Sequence, residues 1–100
     1  MIDPNLFLQE SEVPPVTLTA PLQALWWLKK GELAMGLEWR KAHDLCQLRE
    51  GEHDYDLVHA LVHWIEGDEA NANYWYRRAA ETPATHIEAE WERIAEALSG

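Results

Sequence analysis

The stretch HALVHWIEGDEANANYWYRRAAE, residues 59–81, decides how this chain is read. Two histidines stand one helical turn apart, a Gly-Asp pair follows, and an aromatic block runs into two arginines and two alanines. Glycine suits a helix C-terminus and aspartate suits the N-cap of the next helix, so Gly67 and Asp68 predict two helices joined by a tight break. Upstream, Asp54 is placed to cap the earlier helix, 54–66. Downstream, the later helix ends near Glu81, and Pro83 blocks its continuation.

The same punctuation recurs earlier in the chain. A shift of 36 positions sets Leu22 on Val58, Leu25 on Leu61, Trp26 on Val62 and Leu28 on Trp64. It also sets Gly31 on Gly67, Glu32 on Asp68 and Trp39 on Trp75, so apolar meets apolar and turn meets turn. After Trp39 the match decays. The first unit therefore reads as a helix over 21–30, with Pro21 in its first turn and Gly31 at its end, and a second helix over 32–49 before Gly51. Beyond Pro83, Thr85 and Glu88 form a Thr-x-x-Glu capping box for a fifth helix, 86–98. Its Ile87, Trp91, Ile94 and Leu98 fall on one stripe. No stretch alternates with period two for long enough to make a central strand.

Residues 1–20 differ. Pro4, Pro14, Pro15 and Pro21 sit in or beside this segment, and the Pro14-Pro15 pair forces extended geometry on what precedes it, while Leu6, Phe7, Leu8, Val16 and Leu18 are too apolar for a solvated tail. This arm is expected to pack along the helices or onto a neighbouring molecule. The expected fold is all-α and one domain over 1–100. It comprises an extended arm (1–20), stacked helical hairpins at 21–49 and 54–81, and a capping helix at 85–98. Trp26 belongs to the core by its alignment with an apolar position.

DEANANYWYRRAA, residues 68–80, resembles the second helix of a Sel1-like repeat, a relative of the tetratricopeptide repeat. The shared pattern is an acid, then Ala-x-x-Trp-Tyr-x-basic-Ala-Ala, met here by Asp68, Ala72, Trp75, Tyr76, Arg78, Ala79 and Ala80. The segment 58–79 also resembles a group of short, uncharacterised bacterial proteins with a VHA…H…EGD…NA…YWYRRA pattern. The wider repeat family implies protein–protein scaffolding, with the arm and last helix as caps. His59 and His63 depart from that family, which usually carries large apolar residues there.

Composition narrows the function. Lys plus Arg is 8 and Asp plus Glu is 18, a formal charge of -10, which repels phosphate backbones and anionic headgroups. Neither nucleic acid nor a membrane is an expected partner; a basic protein or peptide is, although such charge also serves solubility. The first residues lack a basic region followed by a long apolar run, and no stretch approaches the ~20 apolar residues of a membrane span, so a cytoplasmic setting is expected. The single cysteine, Cys46, reads as a buried small hydrophobe, with His43 one turn away and no third member in view.

The third helix carries the candidate chemistry. On a helical wheel Asp56, His59, His63 and Glu66 share one quarter, opposite Leu57, Val58, Leu61, Trp64 and Ile65. The first helix places Gln23, Trp27 and Lys30 on the equivalent face. Together these seven are the expected partner-binding surface, with the histidines lining a polar groove. In the alternative, His59 and His63 at i, i+4 chelate a divalent transition metal, with a further carboxylate or histidine drawn from elsewhere. A third reading is a structural homo-oligomer. Arg77 and Arg78 beside Trp75 and Tyr76, and Arg40 and Lys41 beside Trp39, suit carboxylate binding or ring stacking, and more often pair with local acids. Nothing places a nucleophile, a base and an oxyanion donor together, so no catalytic residue is assigned and the sequence points away from an enzyme.

Overall fold

A computed structural model describes Phe7 and residues 9–100 of the chain. It is all-α, with no strand among the described residues. The helices are α1 (Ala20–Lys30), α2 (Leu37–Cys46), α3 (His53–Glu66), α4 (Glu69–Ala79) and α5 (Ile87–Ser99), and a 3-10 turn at Gln47–Arg49 extends α2. Helix α1 packs on α2, and α3 on α4. Helix α5 lies across α1 and α3, so α3 touches all four other helices. No described helix is long and apolar enough to cross a membrane.

That central place overturns the expected amphipathicity of α3. Every residue from Asp56 to His63 is buried, including the aspartate and both histidines. A helix packed on all sides needs rings or paired polar groups where its wheel is polar. Here the histidine rings pack like aromatics. Asp56 accepts the Gly51 N–H at 2.9 Å and lies 3.7 Å from the Arg78 guanidinium.

Helix α2 starts about one turn later than its sequence predicts. Glu32 and Leu33 both have positive φ (59° and 56°), and Gly36 has a φ of 153° that favours glycine. The left-handed residue that closes α1 is Glu32, not Gly31. The Glu32 N–H donates to the Lys29 carbonyl and the Leu33 N–H to the Leu28 carbonyl. Gly31 answers to space instead, since a Cβ there would stand 2.8 Å from Glu38 Cβ.

The break between α3 and α4 follows the sequence reading more closely. Gly67 is left-handed (φ 88°) and Asp68 accepts the Asn71 N–H at 3.2 Å. Two other caps differ. Glu52, not Asp54, stands at the N-cap of α3, without a side-chain bond. His86 takes the N-cap of α5, also without one, so the Thr85–Glu88 box does not form. The start of α5 is fixed by the buried Glu90, which accepts the Ala84 N–H at 2.8 Å and two bonds from Arg93 at 2.8 and 2.9 Å. Arg93 also donates to Glu81 at 2.8 Å, tying the end of α4 to α5.

The core joins Leu22, Leu25, Trp26 and Leu28 of α1 to Leu57, Val58, Leu61 and Val62 of α3 and Trp91 and Ile94 of α5. The arm closes over it from the same chain. The Phe7 ring meets Trp91 edge-on at 4.9 Å, Leu18 is buried, Gln9 donates to the Trp26 carbonyl and Lys30 to that of Ser11. Pro4, Leu6 and Leu8 lie outside the described residues.

Candidate functional site

Two places stand out, one on either side of α2. The inner one is a cluster of three histidines. His59 and His63 are successive turns of α3, with ring centroids 4.8 Å apart. His43, from α2, meets them edge-on at 5.0 and 5.2 Å. One ring nitrogen from each of the three lies within 4.8 Å of the others.

Tryptophans hold this cluster from both sides. Trp39 stacks on His43 at 5.2 Å with planes 5° apart, and its Nε1–H donates to the Val62 carbonyl at 2.8 Å. Trp75 stacks on His59 at 4.1 Å with planes 18° apart. These are the two tryptophans that the 36-residue shift superimposes, and each braces a histidine. Arg78 lies over the Trp75 ring at 5.3 Å and over Tyr74 at 5.7 Å.

The electrostatics follow from burial. His59 is 2% exposed and its Nδ1 has no hydrogen-bond partner. Among the described residues Glu50 is the acid that approaches it, with Oε2 4.0 Å away, beyond bonding distance. Desolvation pushes the His59 pKa down to about 3, helped by the neighbouring His63 and His43. His43 is lowered too, first by burial and then by His63, against the opposing pull of Asp44, Glu66 and Glu50. His63 Nδ1 lies 2.9 Å from Glu66 Oε1. The same nitrogen lies 3.4 Å from Asn71 Nδ2. In the tautomer that donates from Nδ1 to the carboxylate, the lone pair of His63 is at Nε2. Neutral imidazoles with free lone pairs are nitrogen ligands. Cys46 is fully buried beyond the cluster, and desolvation, with Asp56 and Glu50, raises its thiol pKa, so it is no nucleophile.

The outer place is a groove of about 470 Å³ between the arm, α1 and α2. Trp27 and Gln23 line it from α1, Lys41, Asp44 and Leu45 from α2, and Val13, Pro14, Val16 and Leu48 from the flanking segments. Lys41 Nζ sits 5.0 Å from the Trp27 ring centroid, capping one face of it.

The seven residues expected on one surface are divided by the fold. Gln23 and Trp27 reach the outer groove. Gln23 also bonds the Leu18 carbonyl at 2.9 Å, and Lys30 is spent on the arm and on the Trp26 ring, 5.4 Å away. Asp56, His59 and His63 lie inside, and the exposed Glu66 stands over His63. Asp56 joins Arg78 rather than the histidines. The burial follows from α4 covering the side of α3 that the wheel leaves polar.

His43 was missed as a member of the cluster. Its signal lay in Trp39, His43 and Cys46 at i, i+4 and i+7, an inward stripe once Trp39 is equated with the interior Trp75. Glu50 had no signal, because it arrives from the turn after α2. No family model matches this chain, and neither a curated protein nor a solved structure matches it.

Proposed function

We propose that this chain is a small helical-repeat module, working in the cytoplasm, that binds a protein or peptide segment in the groove beside Trp27. One observation carries the reading. Val13, Val16 and Leu48 are 59%, 91% and 66% exposed around the half-buried tryptophan, so apolar side chains gather at one concave place. Such gathering at one concave place marks interaction sites, and tryptophan is a frequent anchor of interfaces. The charge of -10 favours a basic partner, and Asp44 on the groove wall suits a Lys or Arg beside an apolar anchor. Packed helices hold the floor of the groove, which limits the ordering cost of binding. The paired packing of α1 with α2 and α3 with α4, with a glycine-acid pair at each junction, supports kinship with Sel1-like repeats.

The test is a peptide-display selection against the wild type, with affinities then measured for Leu48→Glu and Val16→Asp, both exposed positions that leave the core intact. Enriched peptides should pair an aromatic or aliphatic anchor with Lys or Arg. Either substitution should weaken them about tenfold or more, as loss of an interface anchor does. Peptides indifferent to both substitutions, or no enrichment at all, would remove the groove reading. A mass that doubles with concentration and reverts in Val16→Asp would assign the patch to self-association instead.

A further inference from the structure

We propose that His43, His59 and His63 form a site for one transition-metal ion of the zinc class, with Glu50 beside the fourth position and Glu66 orienting His63 from outside. The site lies across α2 from the groove and does not depend on the groove reading.

Four observations converge on it. The first is the donor set: three imidazoles from two helices, with one nitrogen each within 4.8 Å. Imidazole suits zinc, cobalt, nickel and copper, whereas calcium and magnesium take oxygen ligands. A tetrahedral site with metal–nitrogen bonds of about 2.0–2.1 Å needs nitrogens about 3.3 Å apart. The rings must therefore draw in by about 1.5 Å at most, within reach of side-chain torsions.

The second is the bare nitrogen of His59. A buried polar atom without a partner is costly, and such atoms are rare in folded chains. His59 Nδ1 is buried, unpartnered and faces the Glu50 carboxylate across 4.0 Å. A cation between the two would satisfy both.

The third is the His63–Glu66 pair at 2.9 Å. Metal-bound histidines commonly donate their other ring N–H to a carboxylate, which fixes the tautomer and strengthens the donor. The pair leaves the second nitrogen of His63 free as a ligand.

The fourth is preorganisation. Trp39 and Trp75 stack on His43 and His59, and Trp39 is anchored to the Val62 carbonyl, so two rings are already held. Asp44, Glu50 and Glu66 lie close enough to act on His43, which gives the site a negative surround. Its rim is open on the side of Glu50, whose side chain is 45% exposed, so an ion has a way in.

The test uses the untagged full chain, stripped with chelator and titrated with Zn²⁺ by calorimetry and with Co²⁺ by visible absorption. The wild type should bind one Zn²⁺ per chain and show the intense visible bands of four-coordinate cobalt. His43 is half-buried, and His43→Gln should lower affinity about 30-fold or more and abolish the cobalt bands. Glu66→Gln, at an exposed position, should lower affinity about tenfold. His53→Gln, a histidine that bonds Asp54 and Glu81 away from the cluster, should change nothing. The proposal is overturned if the folded wild type binds neither ion stoichiometrically, or if His43→Gln binds within about threefold of the wild type. Circular dichroism of each variant guards against misfolding, and Glu66→Gln decides if His43→Gln does not fold.

Discussion

At the scale of single residues, His59 carries the sharpest physical consequence. It sits inside α3 between Trp75 and His63, with His43 on its edge and Glu50 beyond reach of a hydrogen bond. Its pKa is pushed down to about 3 from an ordinary 6.5. Between those values the unfolded chain binds the proton and the folded chain does not. Stability therefore rises with pH across this window and is lost as pH falls from 6.5 toward 3. The full loss is of the order of a few kcal/mol. Urea midpoints at pH 7, 5.5 and 4.5 should decline steeply in the wild type. His59→Leu should flatten that decline, and an unchanged slope would show that another group sets it.

At the scale of elements, the helix ends hold the testable strain. Ala80 closes α4 with a φ of 57°, its N–H donating to the Arg77 carbonyl while the Glu81 N–H reaches that of Tyr76. Glycine takes this conformation without penalty, whereas a Cβ costs about 1 kcal/mol or more. Ala80 is exposed, so Ala80→Gly should raise stability by roughly 0.5–1 kcal/mol in urea denaturation. The opposite holds at Gly31. Its φ of -84° suits any residue, but the 2.8 Å approach to Glu38 Cβ does not. Gly31→Ala should cost about 1–3 kcal/mol by forcing the start of α2 away from α1. The two reciprocal substitutions thus test backbone freedom at one end and close approach at the other.

At the scale of the whole molecule, the arm and α5 lock the bundle together. Trp91 is the meeting point: its Nε1–H donates to the Leu25 carbonyl at 2.9 Å, Phe7 packs on its edge, and Lys29 Nζ lies 4.8 Å from its centroid. Phe7→Ala should remove about 3–5 kcal/mol, the usual cost of deleting a buried phenylalanine. It should also shift tryptophan emission to the red as Trp91 meets water. Loss below about 1 kcal/mol would mean that the arm is an accessory to the core rather than a part of it.

Helix punctuation was legible in the residues themselves. Gly67 needs a left-handed φ and Asp68 offers a carboxylate to a free N–H, and both effects act within a few residues. So the α3–α4 junction stands where the sequence places it, and Trp26 lies in the core where its alignment with the apolar Val62 predicts. The helix over 32–49 fails at its start because the conformations of Glu32, Leu33 and Gly36 answer to packing of α2 against α1, which no local propensity records. The wheel of α3 separated polar from apolar correctly but could not tell which sides would be covered. That depends on α4 and α2 arriving from elsewhere in the chain. Sequence spacing by itself determined an all-helical chain with two histidines one turn apart. Only the tertiary structure buried them, brought His43 and Glu50 to their side and left His59 Nδ1 without a partner, because burial and proximity are set by how helices pack and not by how residues follow one another.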